Sequence, residues 1–448
     1  VSEPIISVSG LRGIVGESLT PELLARYISA FCKVLPPGRV VVGRDGRLSG
    51  LALSQHVRAR LATRGHEPID AGIVATPTVG VLVRKLGAVG GVQISASHNP
   101  APYNGVKLFN RDGRVIPAAE GRLVLEAFRR IDPQLEEDDI LCDPGEPFDT
   151  TADHLRLVLA TIRVPAVQDR GYRVLLDSNG GAGRDMGRKL LHALGCDLTL
   201  TGGDLHGQFL HPPEPTAENL AGVRQQVIDA RADIGFCQDP DADRLAMIDE
   251  NGRYIGEEYT LAICLDHVLR ERPGPIVTNC ATSRMAEDLA ARYGVPFHRS
   301  AVGEANVVDK MLEVGAVFGG EGNGGPIDPR VGLVRDSFVG MALVLAAMAS
   351  RDKKVSELAD ELPRYEIVKR SISLAADKLP AALDAVQRHL ADAKPDRLDG
   401  LRLDWADRWL IIRGSNTEPI VRIIAEAPSA STAEALVKSA GDVITKLK

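Results

Sequence analysis

The chain has 448 residues, 44% hydrophobic and 25% charged, an ordinary globular composition but too long for one hydrophobic core. Its formal charge is −7 with no basic block, which argues against a nucleic-acid partner. The longest apolar stretch, Phe338 to Ala349, is too short to cross a bilayer, so no membrane span is expected.

The start, Val1-Ser2-Glu3-Pro4, lacks a basic region followed by an apolar core, so no secretory signal is expected. Cys32, Cys142, Cys196, Cys237, Cys264 and Cys280 are scattered without a C-x-x-C pair, several inside apolar runs. Reduced thiols and a cytoplasmic location are expected.

The first helix is announced by Thr20 as N-cap and Pro21 at the first position, with Leu23, Leu24, Tyr27, Ile28 and Phe31 on one face. Arg39-Val40-Val41-Val42-Gly43-Arg44-Asp45 then reads as a buried strand entering a polar turn. A helix and a short strand near Ile69 follow. Next comes the apolar run Gly90-Gly91-Val92-Gln93-Ile94, which stops at Ser95-Ala96-Ser97-His98-Asn99-Pro100. A serine held on a turn after a buried strand can carry a covalent intermediate, or can simply be a turn residue.

The same order recurs twice. Val174-Leu175-Leu176-Asp177 leads through a strand near Leu198 to Ile234–Cys237, ending in Asp239-Pro240-Asp241-Ala242-Asp243-Arg244. Ile276-Val277-Thr278-Asn279 leads through Val295–Phe297 to Ala316–Phe318, ending in Gly319-Gly320-Glu321-Gly322-Asn323-Gly324-Gly325. Three α/β units thus each deliver one unusual loop from a strand end, where open α/β sheets place ligands.

After Leu362-Pro363 the texture becomes α+β. Trp409–Ile412 and Ile420–Ile424 flank a polar loop, and a last helix carries Leu436, Val437, Ala440, Val443, Ile444 and Leu447. Breaks are expected near residues 150, 250 and 365. The fold class is therefore α/β: three similar α/β domains around a cleft, plus a smaller α+β C-terminal domain. Residues 1–150 carry the serine loop and 151–250 the aspartate loop. Residues 251–365 carry the glycine-rich loop and 366–448 the last polar loop.

Asp239, Asp241 and Asp243 place three carboxylates within five residues, a like-charge cluster that is costly without a cation and suited to a hard divalent one. An EF-hand is excluded because Arg244 stands where that loop needs Gly and the flanks read as strands. Few ligands beyond the carboxylates point to Mg2+. Gly320-x-Gly322-x-x-Gly325 runs into Pro326-Ile327-Asp328-Pro329 rather than a helix, so it is not a dinucleotide fingerprint. No Walker A sequence is present, so ATP is not the expected phosphate source. Arg413-Gly414-Ser415-Asn416-Thr417-Glu418-Pro419, with Arg422, offers two guanidinium groups and small donors suited to a phosphate, or else a hairpin turn with solvated arginines.

Together, Ser9–Gly13, Ser95–Pro100, Tyr103–Lys107, Asp239–Arg244, Glu321 and Arg413–Arg422 resemble the motifs of the α-D-phosphohexomutase family, in order and across nearly the whole chain. The resemblance implies that Ser97 carries a phosphoryl group and binds Mg2+ together with Asp239, Asp241 and Asp243. It implies Lys107 as general acid/base, its pKa lowered toward that of a proton shuttle, with Arg12 and His98 assisting. Arg244, Glu321 and Asn323 fall among the substrate contacts. Arg413, Ser415, Asn416, Thr417 and Arg422 fall where the family holds the substrate's non-reacting phosphate. The implied cycle passes through a bisphosphorylated sugar, with a small-molecule sugar phosphate as partner, a monomer or homodimer as the assembly, and a C-terminal domain that closes over the substrate.

Two positions depart from the commonest pattern: Asn323 stands where Ser is usual, and Gly325 where His closes the motif. The Thr417-Glu418-Pro419 ending resembles phosphoglucosamine mutases, with a bifunctional phosphomannomutase/phosphoglucomutase as the alternative. A Mg2+-dependent phosphatase and an inactive sugar-phosphate-binding protein are the rivals from other classes. A serine hydrolase fits poorly, since no G-x-S-x-G surrounds Ser97.

Overall fold

The structure, a computed structural model, describes residues 3–7, 10–132, 148–202, 207–414 and 420–447. Ser9, Cys142, Ser415, Asn416 and Thr417 lie outside the described residues.

Three sheets repeat one arrangement. In the first, Arg39–Arg44 runs parallel between Glu67–Ile73 and Gly90–Ile94, and Tyr103–Asn110 returns antiparallel beside Gly90–Ile94. In the second, Arg173–Asp177 lies between Asp197–Thr201 and Ile234–Gln238, with Leu245–Asp249 returning antiparallel. In the third, Ile276–Asn279 lies between Phe297–Ser300 and Phe318–Glu321, with Gly325–Ile327 returning. The central strands are near-continuous apolar runs, as strands covered on both faces must be. The first sheet is extended by Gly10–Ile14 and Ile5–Ser7. In each unit a hairpin joins the third parallel strand to its antiparallel neighbour. Those three hairpins carry the serine, aspartate and glycine-rich loops.

The helix Pro21–Val34 begins as expected, with Thr20 accepting the Leu23 N–H and Leu24, Tyr27, Ile28 and Phe31 buried. The apolar stretch from Phe338 lies in the helix Ser337–Arg351, which is buried nearly all round. It joins the second and third units in one continuous core. Among the described residues no helix is long and apolar enough to cross a membrane.

The fourth sheet is antiparallel, in the order Glu366–Ser373, Ile420–Ala427, Trp409–Gly414, Leu401–Asp404, Lys394–Asp396. Leu410 and Ile412 face the helices Leu379–His389 and Ala430–Thr445, while Trp409 and Ile411 pack against Cys280 of the third unit. The period of two thus explains why this strand is apolar on both faces.

Candidate active site

The serine loop is built from below. Gly90–Ile94 is fully buried, and three residues past its end Ser97 takes φ +51°, the left-handed region that a side-chain-bearing residue occupies only when its surroundings impose it. Arg47 imposes it. Its guanidinium donates to the carbonyls of Ser97 (2.6 Å), Asn99 (2.7 Å), Pro100 (2.9 Å) and Tyr103 (3.0 Å), and to Asp45 Oδ2 at 3.0 Å. Asp45 Oδ2 also accepts from Ser95 Oγ at 2.6 Å, and Ser95 Oγ accepts the Ser97 N–H at 2.8 Å. Arg47 and Asp45 are both buried, and Arg47 lies over the Phe209 ring.

The buried Ser97 hydroxyl donates to Asp239 Oδ2 at 2.7 Å and sits 3.4 Å from His98 Nδ1. Burial, then the Arg244 and Arg12 guanidinium groups, push the His98 imidazole down to about 3, so it is neutral at pH 7. Arg12 Nη1 donates to Asn99 Oδ1 at 3.2 Å. Arg12 and Arg244 thus bring positive charge to the serine loop, where an anion would arrive.

Asp239, Asp241 and Asp243 are completely buried, and each has one oxygen anchored. Asp239 Oδ1 accepts the N–H groups of Asp243 (3.2 Å) and Arg244 (3.1 Å). Asp241 Oδ2 accepts from Thr76 Oγ1 and Lys107 Nζ, both at 2.5 Å. Asp243 Oδ2 accepts from Lys107 Nζ at 2.7 Å and Arg335 Nη2 at 2.6 Å. Asp241 Oδ1 and Asp243 Oδ1 are buried without a hydrogen-bond partner among the described residues, and the remaining Asp239 oxygen faces Ser97. Oxygens of the three carboxylates lie within 4.8 Å of one another. Buried, unsatisfied carboxylate oxygens on anchored side chains fit a hard divalent cation. Burial and the two neighbouring carboxylates hold Asp239 well above the usual carboxylate range. Asp241 and Asp243 lie below it: burial opposes their ionisation most, but Lys107 together with hydrogen bonds from Thr76 and Asp239 outweighs it at Asp241, and Arg335, Lys107 and Arg244 together outweigh it at Asp243.

Lys107 corrects one expectation. It is buried within Tyr103–Asn110, paired with Gln93 and Gly10. Its pKa is raised, not lowered. Burial pulls the ammonium down, but the Asp241 and Asp243 carboxylates outweigh burial.

In the third hairpin, Glu321 Oε1 accepts from Asn279 Nδ2 (2.7 Å) and the Gly303 N–H (3.0 Å), and Oε2 pairs with Arg335 Nη1 at 3.1 Å. Asn323 Oδ1 is buried without a partner among the described residues. The hairpin is stapled to the aspartate hairpin by the Leu245 N–H donating to the Gly324 carbonyl at 2.9 Å. In the fourth sheet Arg413 lies directly opposite Arg422. Arg413 pairs with Asp399 Oδ2 at 3.2 Å; Arg422 is exposed, with no ion-pair partner among the described residues.

Models of the phosphoglucomutase/phosphomannomutase family match four consecutive stretches. The α/β/α domains I, II and III match residues 5–135, 152–252 and 257–365, and the C-terminal domain matches 372–440. The chain belongs to the α-D-phosphohexomutase family. It is 37% identical to a phosphoglucomutase/phosphomannomutase of Thermococcus kodakarensis, covering 94% of each chain. It is 33% identical to a protein of Methanopyrus kandleri named probable phosphoglucosamine mutase, covering 98% of this chain and 97% of the other. Among solved structures, a phosphoglucomutase/phosphomannomutase family protein of Burkholderia thailandensis superposes with a TM-score of 0.83 at 25% identity, covering 99% and 97%. As a phosphohexomutase, the protein is an isomerase.

The structure brings Ser97, His98, Arg12, Lys107, Asp239, Asp241, Asp243, Arg244 and Glu321 into one connected network. Sequence reasoning missed Asp45, Arg47, Thr76 and Arg335. A signal existed for the first two: acidic and basic residues two apart immediately after an apolar strand. Thr76 and Arg335 meet their partners across 165 and 92 residues, where no local pattern reaches.

Proposed function

We propose that the protein interconverts hexose 1-phosphate and 6-phosphate through a phosphorylated Ser97 and a bisphosphorylated sugar, with glucosamine phosphate as its sugar. The observation that carries this reading is the Ser97 hydroxyl, held in a strained turn 2.7 Å from Asp239, beside carboxylate oxygens that have no donor among the described residues. The phosphoryl group leaves Ser97 Oγ for one sugar hydroxyl, and the other phosphate of the bisphosphate returns to Ser97 Oγ after the sugar has turned over. Asp239, Asp241 and Asp243 would hold Mg2+, which would supply charge neutralisation for the transferring group.

The chain's own residues do the rest. Arg47 fixes the direction of the Ser97 hydroxyl, so little of the barrier goes to reorienting it. Lys107, protonated between Asp241 and Asp243, is the proton-holding group of the site. Arg12 and Arg244 hold anionic oxygens over Ser97, while neutral His98 can accept or donate a hydrogen bond without adding charge. Asn323 offers an acceptor to a sugar hydroxyl, and Arg413 with Arg422 clamps the non-reacting phosphate. The surplus positive charge of two arginines opposed across strands supports that last assignment.

The lean toward glucosamine phosphate rests on Thr417-Glu418-Pro419 and on relatives named for that sugar. The 37% identical relative named for glucose and mannose phosphates keeps bifunctional phosphomannomutase/phosphoglucomutase activity as the second reading. A panel of glucosamine, glucose, mannose and N-acetylglucosamine 1-phosphates tests both. The proposal expects the 6-phosphate of glucosamine to form fastest. Release of free phosphate from every sugar, with no isomer formed, would replace the mutase with a phosphatase.

A further inference from the structure

Carboxylates from three separate segments converge on one guanidinium group. Arg335 donates from Nη2 to Asp243 Oδ2 at 2.6 Å and from Nε to Glu304 Oε2 at 3.2 Å, while its Nη1 pairs with Glu321 Oε2 at 3.1 Å. Its backbone N–H donates to Glu304 Oε1 at 3.1 Å, so Glu304 grips Arg335 at both ends. All four residues are buried. The planar guanidinium meets each carboxylate with a different nitrogen of a rigid fork, whereas an ammonium gathers its three donors on one freely rotating nitrogen.

Gly325 opens the path to this position. A Cβ there would lie 2.4 Å from Arg335 Cδ and 2.8 Å from Cγ. The departure from the family's usual His at this place therefore has a steric reason: the Arg335 stem fills the space that a side chain would need.

We propose that Arg335 is a positioning residue that locks the aspartate loop to the sugar loop, so that the divalent cation and the sugar phosphate bind cooperatively. The proposal rests on the reading of those two loops given above. On one side Arg335 holds Asp243 Oδ2 and leaves Oδ1 for the cation. On the other it holds Glu321, whose second oxygen orders Asn279 and the Gly303 N–H around the glycine-rich loop. A cation on Asp243 reduces the negative charge competing for the guanidinium and strengthens its hold on Glu321. By linkage, a sugar that orders the Glu321 loop strengthens the cation site by the same factor.

The test is calorimetric titration of Mg2+ into dephosphorylated protein, with and without saturating glucosamine 6-phosphate, after subtracting the heat of Mg2+ added to the sugar phosphate alone. Wild type is expected to bind Mg2+ about 5- to 150-fold more tightly with the sugar phosphate present. Arg335→Lys keeps the charge and loses the fork; Gly325→Ala keeps the arginine and displaces its stem. Either variant is expected to bring that ratio close to one while still binding both ligands singly, and if one fails to fold, the other carries the test. A wild-type ratio of one, or an unchanged ratio in a folded variant, overturns the proposal. Failure of the underlying reading looks different: wild type then binds no Mg2+, or no sugar phosphate, under either condition.

Discussion

The serine–aspartate end of the site and the arginine pair of the fourth sheet follow opposite electrostatic plans. At the first, buried charges are paired within the protein: Asp45 with Arg47, Asp241 with Lys107, Asp243 with Arg335. At the second, Arg413 and Arg422 face each other across adjacent strands, where like charges destabilise, and only Arg413 has an acidic partner among the described residues. The chemistry end is organised before any ligand arrives, as catalysis by positioning and electrostatics requires. The arginine pair is left with charge that an anionic ligand would satisfy, as the phosphate-clamping role proposed for it requires.

If this contrast is right, the largest effects belong to the paired end. Ser97→Ala should abolish turnover, because no other hydroxyl among the described residues lies on Asp239. Asp241→Asn should weaken cation binding by more than the ~10–100-fold typical of losing an outer partner of a metal ligand, read by Mg2+ titration. Arg47→Met strips the serine loop of its donors and strands Asp45. Thermal unfolding should show a loss of about 3–5 kcal/mol, and kcat should fall more than KM rises. A variant with full stability and normal kcat would remove Arg47 from the account.

Smaller effects, and one of opposite sign, belong to the arginine pair. Arg413→Ala should raise KM by about 10–100-fold, the worth of a charged hydrogen bond, with less change in kcat. Arg422→Ala should also weaken sugar-phosphate binding, yet stabilise the free protein by roughly 0.2–1 kcal/mol by removing the opposed charge. A destabilised Arg422→Ala protein would show that the pair serves the fold rather than a ligand.

The smallest expected effect is a pH dependence at His98. Its folded pKa, about 3, lies below the ordinary imidazole value of 6.5. Between these values the unfolded chain binds a proton that the folded chain does not, so stability falls as pH falls from 6.5 toward 3. His98→Asn should flatten that part of the melting-temperature profile.

Much of this was legible in the sequence because the decisive elements are local. Apolar strands ending in Ser97, in Asp239–Asp243 and in Glu321–Gly325 announce a buried strand and a polar loop within a few residues. The antiparallel fourth strand was legible only in the second unit, where strands were read on both sides of the aspartate loop; in the first and third units it was not. Tyr103–Asn110 mixes Asn, Gly and Lys with apolar residues, because its lysine turns inward to carboxylates rather than outward to water. The Thr76–Asp241 and Arg335–Asp243 contacts follow from how separate units dock, so no local periodicity encodes them. For the same reason Lys107 looks exposed in the sequence and is buried in the fold.

Phosphoryl traffic through Ser97 tests the central claim most directly. Protein incubated with a hexose 1,6-bisphosphate is analysed by intact mass and by mapping of the Ser97 peptide, then chased with glucosamine 6-phosphate. The account predicts one added phosphate on Ser97 that disappears on the chase as bisphosphorylated sugar forms. An unmodified Ser97 during full turnover, or a phosphate lost to water instead of sugar, would contradict it.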